Sequence, residues 1–413
     1  MARVNVVPFA SALRDKKGMQ ERVSRYLTEL KAVGGFEFSL ATPDSEQPDS
    51  DVTLLLVLSG GVEAQVLEFL ARSHGPALIL AHPADNAVAA AVEVLAFLNA
   101  AETRGRIVQA IPGWQGELGD LLTTFAARAR MERARLGVIG TRTVEVLEPW
   151  RLTEQVKRVW GPCLVRMHMQ ELIEAVRAAD IGQAKEAASE FVRNAGGIVE
   201  PNSDTLVGAG SIYVGLKDLV ERHHLNAVTV KCFDLLPVFQ NTGCYALARL
   251  NEEGIPAGCE ADVLSTLGML FLREITGQPS FMANPSVIHQ EEGKITLAHC
   301  TIGRSMTQSY TIRSHFESGI GVGIQGYVPS GPVTIVRIGG RHLEEVLIAR
   351  GDLLECGSRG DMCRTQLTIE LADPEVARTI LSRPLGNHHL VLVGDWEKRI
   401  RGFTSLFIQT AKA

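Results

Sequence analysis

One carboxylate, Glu260, occupies a position in the sequence that is typical of a reactive group. It lies in the segment Gly258-Cys-Glu-Ala-Asp262, and an apolar helical pattern follows it directly in Leu264, Leu267, Leu270 and Phe271. Glu260 is therefore predicted on the short connection that enters a helix, and not on a solvated helix face. A carboxylate there needs a partner, either the free N–H groups of the helix N-terminus or a metal ion. Asp262 has a plainer interpretation as the N-cap of the helix.

Three polar clusters lie in the last third of the chain, and each contains histidine: His299 at a predicted strand end, the alternating residues Arg313, His315 and Glu317, and the pair His388-His389. In an extended chain the three alternating residues would point to one face. A single histidine at a strand end is usually structural, but the concentration of these clusters in one region is more informative. One carboxylate with two or three imidazoles is a ligand set for a divalent cation, and Mn²⁺ suits it better than zinc in a thiolate cage.

The elements that would position these residues form an α/β pattern. Strand and helix signals alternate up to about residue 280, which predicts doubly wound parallel sheets, and short β runs separated by Gly and Pro then predict a small antiparallel barrel or sandwich. We predict two α/β domains at residues 1–145 and 146–280, the second of which carries Glu260, and a β-rich domain at residues 281–413. Because ligands bind at the carboxyl ends of parallel strands, four residues should lie near Glu260, namely Lys231, Asp234, Asn241 and Thr242. The turn Ser59-Gly60-Gly61 lacks the full dinucleotide fingerprint and is predicted to be a tight turn, with no cofactor site.

Composition excludes several classes of function. The chain has 413 residues, of which 46% are hydrophobic and 21% charged, and a net charge of −6. No basic run could follow a phosphate backbone, so nucleic-acid binding is not expected. No apolar run approaches the roughly 20 residues of a spanning helix, and the N-terminus lacks a signal-peptide core, so neither a membrane nor a secreted location is expected. The seven cysteines form no CxxC pair and are predicted to be reduced thiols of a cytoplasmic protein.

Together, these residues resemble the L-fucose isomerase and L-arabinose isomerase superfamily, in particular its shorter fucose-isomerase-like members. The resemblance is carried by Lys231-Cys-Phe-Asp, Gly258-Cys-Glu-Ala-Asp, Ala298-His-Cys, Ser314-His-Phe-Glu-Ser and Gly386-Asn-His-His with Gly394-Asp395. It covers residues 200 to 400 well, whereas the N-terminal half matches only in its βα repetition. The resemblance implies two Rossmann-like domains, a β-rich C-terminal domain, a Mn²⁺-dependent aldose–ketose isomerase acting on a sugar, and a homotrimer or homohexamer.

The resemblance also implies roles for individual residues. Glu260 matches the metal-binding catalytic Glu, the pair His388-His389 contains the C-terminal metal His, and His299 resembles a further metal His of the arabinose branch. One position departs from the pattern, because Asn284 stands where the family has a second metal-binding carboxylate.

An amide oxygen can bind Mn²⁺, but it cannot transfer a proton at neutral pH. A second acid or base must then come from elsewhere, and Glu317, Asp234 or a histidine are the candidates. Two alternatives to an isomerase remain open at this stage. One is another metal-assisted carbohydrate enzyme, such as an aldolase or lyase, and the other is a non-catalytic sugar-binding protein.

Overall fold

The computed structural model describes residues 1–44, 50–73, 76–140 and 149–408. The chain forms two compact units, the first of Met1–Arg130 with Ser405–Phe407 and the second of Met131–Thr404 with Ile408. The predicted boundary between residues 145 and 146 lies outside the described residues, and the three-domain division stays a prediction.

The first unit contains a parallel five-stranded sheet in the order β2-β1-β3-β4-β5. Its strands are β1 (Ala2–Phe9), β2 (Phe36–Leu40), β3 (Val52–Val57), β4 (Ala77–Ala81) and β5 (Gly105–Gln109). Its helices are α1 (Lys16–Leu30), α2 (Glu63–Ser73), α3 (Ala87–Ala100) and α4 (Trp114–Arg133), and the last three residues of α4 lie past the end of the unit at Arg130. Alternate residues of β3 belong to different apolar cores. Leu54 and Leu56 belong to one core, and Leu55 and Val57 belong to the other. Every residue of the strand except Thr53 is apolar, because both faces of the sheet are covered.

The second unit begins with a parallel sheet in the order β10-β9-β6-β7. Its strands are β6 (Arg135–Ile139), β7 (Cys163–Met167), β9 (Ala227–Val230) and β10 (Ala257–Gly258). The helices of this part are α5 (Pro149–Gln155), which continues as a π-helical turn (Val156–Trp160), α6 (Met169–Arg177), α7 (Ile181–Arg193), α8 (Ser203–Arg222), α9 (Leu236–Phe239), α10 (Cys244–Glu252) and α11 (Val263–Thr276).

A closed six-stranded antiparallel barrel follows, in the order β11-β12-β17-β16-β15-β18. Its strands are β11 (Phe281–His289), β12 (Lys294–His299), β15 (Gly331–Gly339), β16 (Glu345–Gly357), β17 (Thr365–Leu371) and β18 (His389–Val393). A separate three-stranded sheet is formed by β8 (Gly197–Ile198), β13 (Ser309–Arg313) and β14 (Gly323–Tyr327), and the last helices are α12 (Glu375–Ser382) and α13 (Glu397–Phe407). The predicted fold class is therefore confirmed: parallel sheets of Rossmann-like character and a closed C-terminal barrel.

Helix α11 packs directly on the barrel. A Cβ atom at Gly268 would come within 2.5 Å of Leu390 Cδ1 on β18, so a larger residue there would force the Leu390 side chain to move. The close packing brings the connection between β10 and α11, which carries Glu260, against the barrel strands that carry the histidines.

Candidate functional site

Glu260, His299 and His388 come together in the second unit. Their ligand atoms all lie within 4.8 Å of one another. Glu260 Oε1 is 3.8 Å from His299 Nε2 and 3.6 Å from His388 Nε2. The two imidazole rings cross at 61° with their centres 5.5 Å apart. Three segments that are distant in sequence thus place one carboxylate and two imidazoles around a common point.

The barrel register positions the two histidines. His299 is the last residue of β12, and His388 directly precedes β18. Both strands pair with β11, through Asn284 with Ala298 on one side and Ala283 with His389 on the other. Strand β11 therefore lies between the two histidine-bearing strands and determines their spacing.

Glu260 lies in a turn with a strained backbone conformation. Glu260 has a φ of 61° and Ala261 a φ of 51°, a left-handed conformation that is unfavourable for residues other than glycine. Two backbone hydrogen bonds hold the turn, since Ala261 N–H donates to Val230 O at 3.0 Å and Asp262 N–H donates to Cys259 O at 3.1 Å. Strained residues of this kind persist only where the surrounding structure holds them, and they cluster at functional sites.

A disulfide bond adds to this support. Cys232 and Cys259 are bonded, with Cα atoms 6.1 Å apart, and Cys259 directly precedes Glu260. The prediction that all seven cysteines are reduced thiols is wrong for this pair. The two residues follow the neighbouring strands β9 and β10, and this tertiary proximity is invisible in their sequence spacing.

The pKa values of the cluster indicate an anionic carboxylate. Burial raises the pKa of Glu260, but the imidazoles of His299 and His388 outweigh burial, and the net pKa is well below the ordinary value. Burial lowers the pKa of His299. Burial also opposes the charged form of His388, but the carboxylates of Asp262 and Glu260 outweigh it, so the pKa of His388 is raised. Glu260 is thus ionised at neutral pH, and it lies between two potential nitrogen ligands.

Asp262 has two functions in the structure. Its Oδ1 accepts a hydrogen bond from Ser265 N–H at 2.9 Å, which confirms the predicted N-cap of α11. Its Oδ2 lies 2.8 Å from His388 Nδ1, and it also lies 3.5 Å from Nη1 of Arg337 on β15. Arg337 was not predicted to belong to the site. An arginine among the apolar residues of β15 is nevertheless a signal in the sequence that this strand makes a buried polar contact.

Two buried polar atoms, one in the cluster and one on β11, lack hydrogen-bond partners. Within the described residues, buried side-chain atoms without a partner include Asn284 Oδ1 and His388 Nε2. Asn284 pairs with Ala298 in the β11–β12 ladder, so it lies beside the end of β12 that carries His299. Buried acceptors of this kind usually have a partner, and a cation bound by oxygen and nitrogen atoms would supply one. The residues present therefore fit a divalent metal ion, with Glu260, His299 and His388 as the candidate ligands.

Two other predicted residues, Asp234 and Glu317, are not part of the cluster of Glu260, His299 and His388 in the described chain. Asp234 is on the 3₁₀ turn Cys232–Leu235 and is 3.4 Å from Lys231 Nζ. Glu317 is exposed on the turn after β13, which ends at Arg313. The expectation that Arg313, His315 and Glu317 share one extended face is therefore wrong, because the chain leaves the strand before His315.

The remaining predicted residues have structural contacts. His389 Nδ1 lies 3.0 Å from Asn387 O, and burial lowers the pKa of His389 to about 4. Asn241 Nδ2 donates to Thr205 O at 2.7 Å, and Thr242 Oγ1 donates to Val322 O at 2.5 Å. Among the residues that the structure describes, His389 is not part of the cluster of Glu260, His299 and His388.

No family model matches the chain. It is similar to a sulfoquinovose isomerase from Clostridium sp. (strain MSTE9), with 27% identity over 200 residues that cover 46% of this chain and 43% of that protein. Sulfoquinovose isomerases of Priestia aryabhattai and Priestia megaterium are 22% identical over 255 residues, which cover 59% of this chain and 55% of each relative. The chain thus spans about half the length of the relatives it matches. In the described part of the chain, no helix is both long enough and apolar enough to span a bilayer.

Proposed function

We propose that this protein is a metal-dependent aldose–ketose isomerase acting on a sugar or sugar derivative through an enediol-type proton transfer. The observation that carries the proposal is the convergence of Glu260, His299 and His388, with an anionic carboxylate between two imidazoles. The similarity to sulfoquinovose isomerases supports the same reaction class and makes sulfoquinovose, a sulfonated aldose, the first substrate to test.

The proposed metal ligands are Glu260, His299 and His388, with Asn284 as a further oxygen donor and Mn²⁺ as the first ion to test. His389 was paired with His388 in the sequence-based ligand set, and the proposal takes His388 because its Nε2 is 3.6 Å from Glu260 Oε1. A bound divalent cation would stabilise the negative charge that develops on O1 and O2 of the sugar.

In the proposed mechanism, Glu260 acts as the base. Its low pKa keeps it ionised at neutral pH, and one of its oxygens can remove the carbon-bound proton while the other faces the histidines. Asn284 cannot transfer a proton, so a second acid is needed to complete the transfer. Asp234 and Glu317 are the proposed candidates, and Asp234 follows β9 at the carboxyl end of the sheet, as Glu260 follows β10.

The proposal keeps the cytoplasmic location that the sequence predicts. It also includes a homotrimeric or homohexameric assembly, which the resemblance to the fucose and arabinose isomerases implies. Light scattering at micromolar concentration tests the assembly, and a monomer would contradict it. No nucleic-acid or membrane partner is proposed.

Incubation with an aldose and Mn²⁺ in D₂O tests the reaction. We expect ketose formation and deuterium at C1 or C2, because the transferred proton exchanges with solvent at the base. Glu260→Gln keeps the size of the side chain but removes the base, so it should lower kcat far more than it weakens sugar binding. Sulfoquinovose, pentoses, hexoses and 6-deoxyhexoses should be screened with Mn²⁺, Mg²⁺, Co²⁺ and Zn²⁺. Sugar binding without turnover of any of them would favour a non-catalytic sugar-binding protein, and carbon–carbon cleavage would favour an aldolase.

A further inference from the structure

Asp262 is buried more deeply than an N-cap requires. Asp15 and Asp180 cap α1 and α7 in the same way, through a side-chain oxygen and a backbone N–H, and both are exposed. Asp262 is only 2% exposed, and Arg337 beside it is 4% exposed. Removing two charges from water is unfavourable unless their contacts with each other and with neighbouring groups offset the lost hydration. Capping alone therefore does not account for the burial of this carboxylate.

The second oxygen of Asp262 has a partner beyond the cap. Oδ1 accepts the capping hydrogen bond from Ser265 N–H, whereas Oδ2 accepts from Ser265 Oγ at 2.9 Å and also lies 2.8 Å from His388 Nδ1. A carboxylate at neutral pH only accepts hydrogen bonds, so His388 must carry its proton on Nδ1. The opposite ring nitrogen, Nε2, is the atom that faces Glu260 at 3.6 Å.

Arg337 fixes the geometry from the other side. Its Nη1 donates to the carbonyl oxygen of His388 at 3.1 Å and to Ser265 Oγ, and it lies 3.5 Å from Asp262 Oδ2. The chain passes so close to the guanidinium that a Cβ at Gly386 would lie 2.0 Å from an Nη atom of Arg337. The backbone and the ring of His388 are thus both held by buried charged groups.

We propose that Asp262 is a positioning residue that sets the Nδ1–H tautomer and the ring orientation of His388, so that the Nε2 lone pair is directed toward Glu260 and His299. Arg337 holds Asp262 and the His388 backbone in place. The inference rests on the proposed function only in that His388 is taken as a metal ligand. Hydrogen bonding of the second imidazole nitrogen to a carboxylate orients metal-binding histidines, and loss of such a partner typically costs 10–100-fold in metal affinity.

Asp262→Asn is the test substitution. The Asn side chain can keep Oδ1 on Ser265 N–H, and Asn is as good an N-cap as Asp. Its amide nitrogen then faces His388 Nδ1 as a donor, which favours the other tautomer and places a proton on Nε2. We expect the affinity for Mn²⁺ or Zn²⁺, measured by titration calorimetry, to fall by about 10–100-fold. Asp180→Asn at the cap of α7 is the matched control and should leave the affinity unchanged.

A second measurement requires no substitution at Asp262. In ¹⁵N-histidine-labelled protein loaded with diamagnetic Zn²⁺, His388 should show a slowly exchanging Nδ1–H and coordination through Nε2, with His388→Gln identifying its signals. Coordination through Nδ1, or an unchanged metal affinity of the folded Asp262→Asn variant, would overturn the inference. Reduced affinity in that variant without isomerase activity in the wild type would leave the inference standing and refute the proposed reaction. Absence of any divalent-ion binding by the wild type would refute both.

Discussion

Cys259 is bonded to Cys232, and the bond joins the chain just beyond β9 to the chain just beyond β10. Glu260 follows Cys259 directly, so the same bond anchors the start of the left-handed turn that presents the candidate base. Two backbone hydrogen bonds of 3.0 and 3.1 Å also support the turn.

Reduction of this bond should destabilise the protein. The two cysteines are 27 residues apart, and closing a loop of that length contributes about 3 to 4 kcal/mol in the chain-entropy model. We expect the thermal midpoint to fall on addition of a phosphine reductant. Cys232→Ser should have a lower midpoint and no response to reductant, whereas Cys163→Ser, at an exposed free thiol, should respond like the wild type. Equal midpoints of oxidised and reduced wild type would contradict the prediction.

Substitution of the two adjacent histidines should separate their roles. A ligand that binds only the folded state raises its stability, by about 2.7 kcal/mol at a hundredfold excess over Kd, so Mn²⁺ should raise the thermal midpoint of chelator-treated protein. His388→Gln should abolish this shift, because His388 Nε2 faces Glu260. His389→Gln should preserve it, because His389 lies outside the described cluster. The reverse result would assign the metal to His389.

Acidification should destabilise the metal-free protein between about pH 6.5 and pH 4. Burial lowers the pKa of both His315 and His389 to about 4, whereas an unfolded histidine takes up its proton near 6.5. In this window the unfolded chain binds more protons, so the free energy of unfolding falls as pH falls, by up to about 1.4 kcal/mol per pH unit for each group. His388, whose pKa is raised, changes stability only above about pH 6.5 and does not mask the effect.

Thermal midpoints measured in chelator from pH 7 to pH 4.5 check this prediction. His389→Gln removes one of the histidines whose pKa burial lowers, and it should make the dependence shallower. A dependence as steep as that of the wild type would show that the buried histidine is not the source.

Asn284→Asp should strengthen divalent-ion binding. Asn284 Oδ1 is buried without a hydrogen-bond partner, and a carboxylate there would add a full negative charge on the strand that lies between those of His299 and His388. We expect Mn²⁺ affinity to rise by about tenfold, equivalent to 1.4 kcal/mol. Asn387→Asp adds the same charge at an exposed neighbour of His388 and should have little effect. If the missing carboxylate also limits proton transfer, kcat of the Asn284→Asp variant should rise together with its Mn²⁺ affinity. An unchanged Mn²⁺ affinity would instead place Asn284 outside the ligand set.

The sequence predicted the fold class and most of the cluster because these depend on local patterns. Alternating strand and helix signals predicted the parallel sheets, and the residues around Glu260 predicted a connection into a capped helix. Sequence could not separate His388 from His389, because the choice depends on barrel register, which pairs His389 with Ala283 on β11. The Cys232–Cys259 bond and the contact between Asp262 and Arg337 were missed for a similar reason, since each joins residues that become neighbours only in the tertiary fold.

The closed barrel holds the two histidines of the cluster more firmly than the turn holds Glu260. A closed barrel has no edge strand, so β12 and β18 cannot shift relative to β11 without breaking ladder hydrogen bonds on both sides. Glu260, in contrast, belongs to a short turn after a two-residue strand. Any rearrangement that accompanies binding of an ion or a sugar should therefore be a swing of the carboxylate toward a fixed pair of imidazoles. Crystals grown with and without a bound cation should then superpose at His299 and His388 and differ at Glu260.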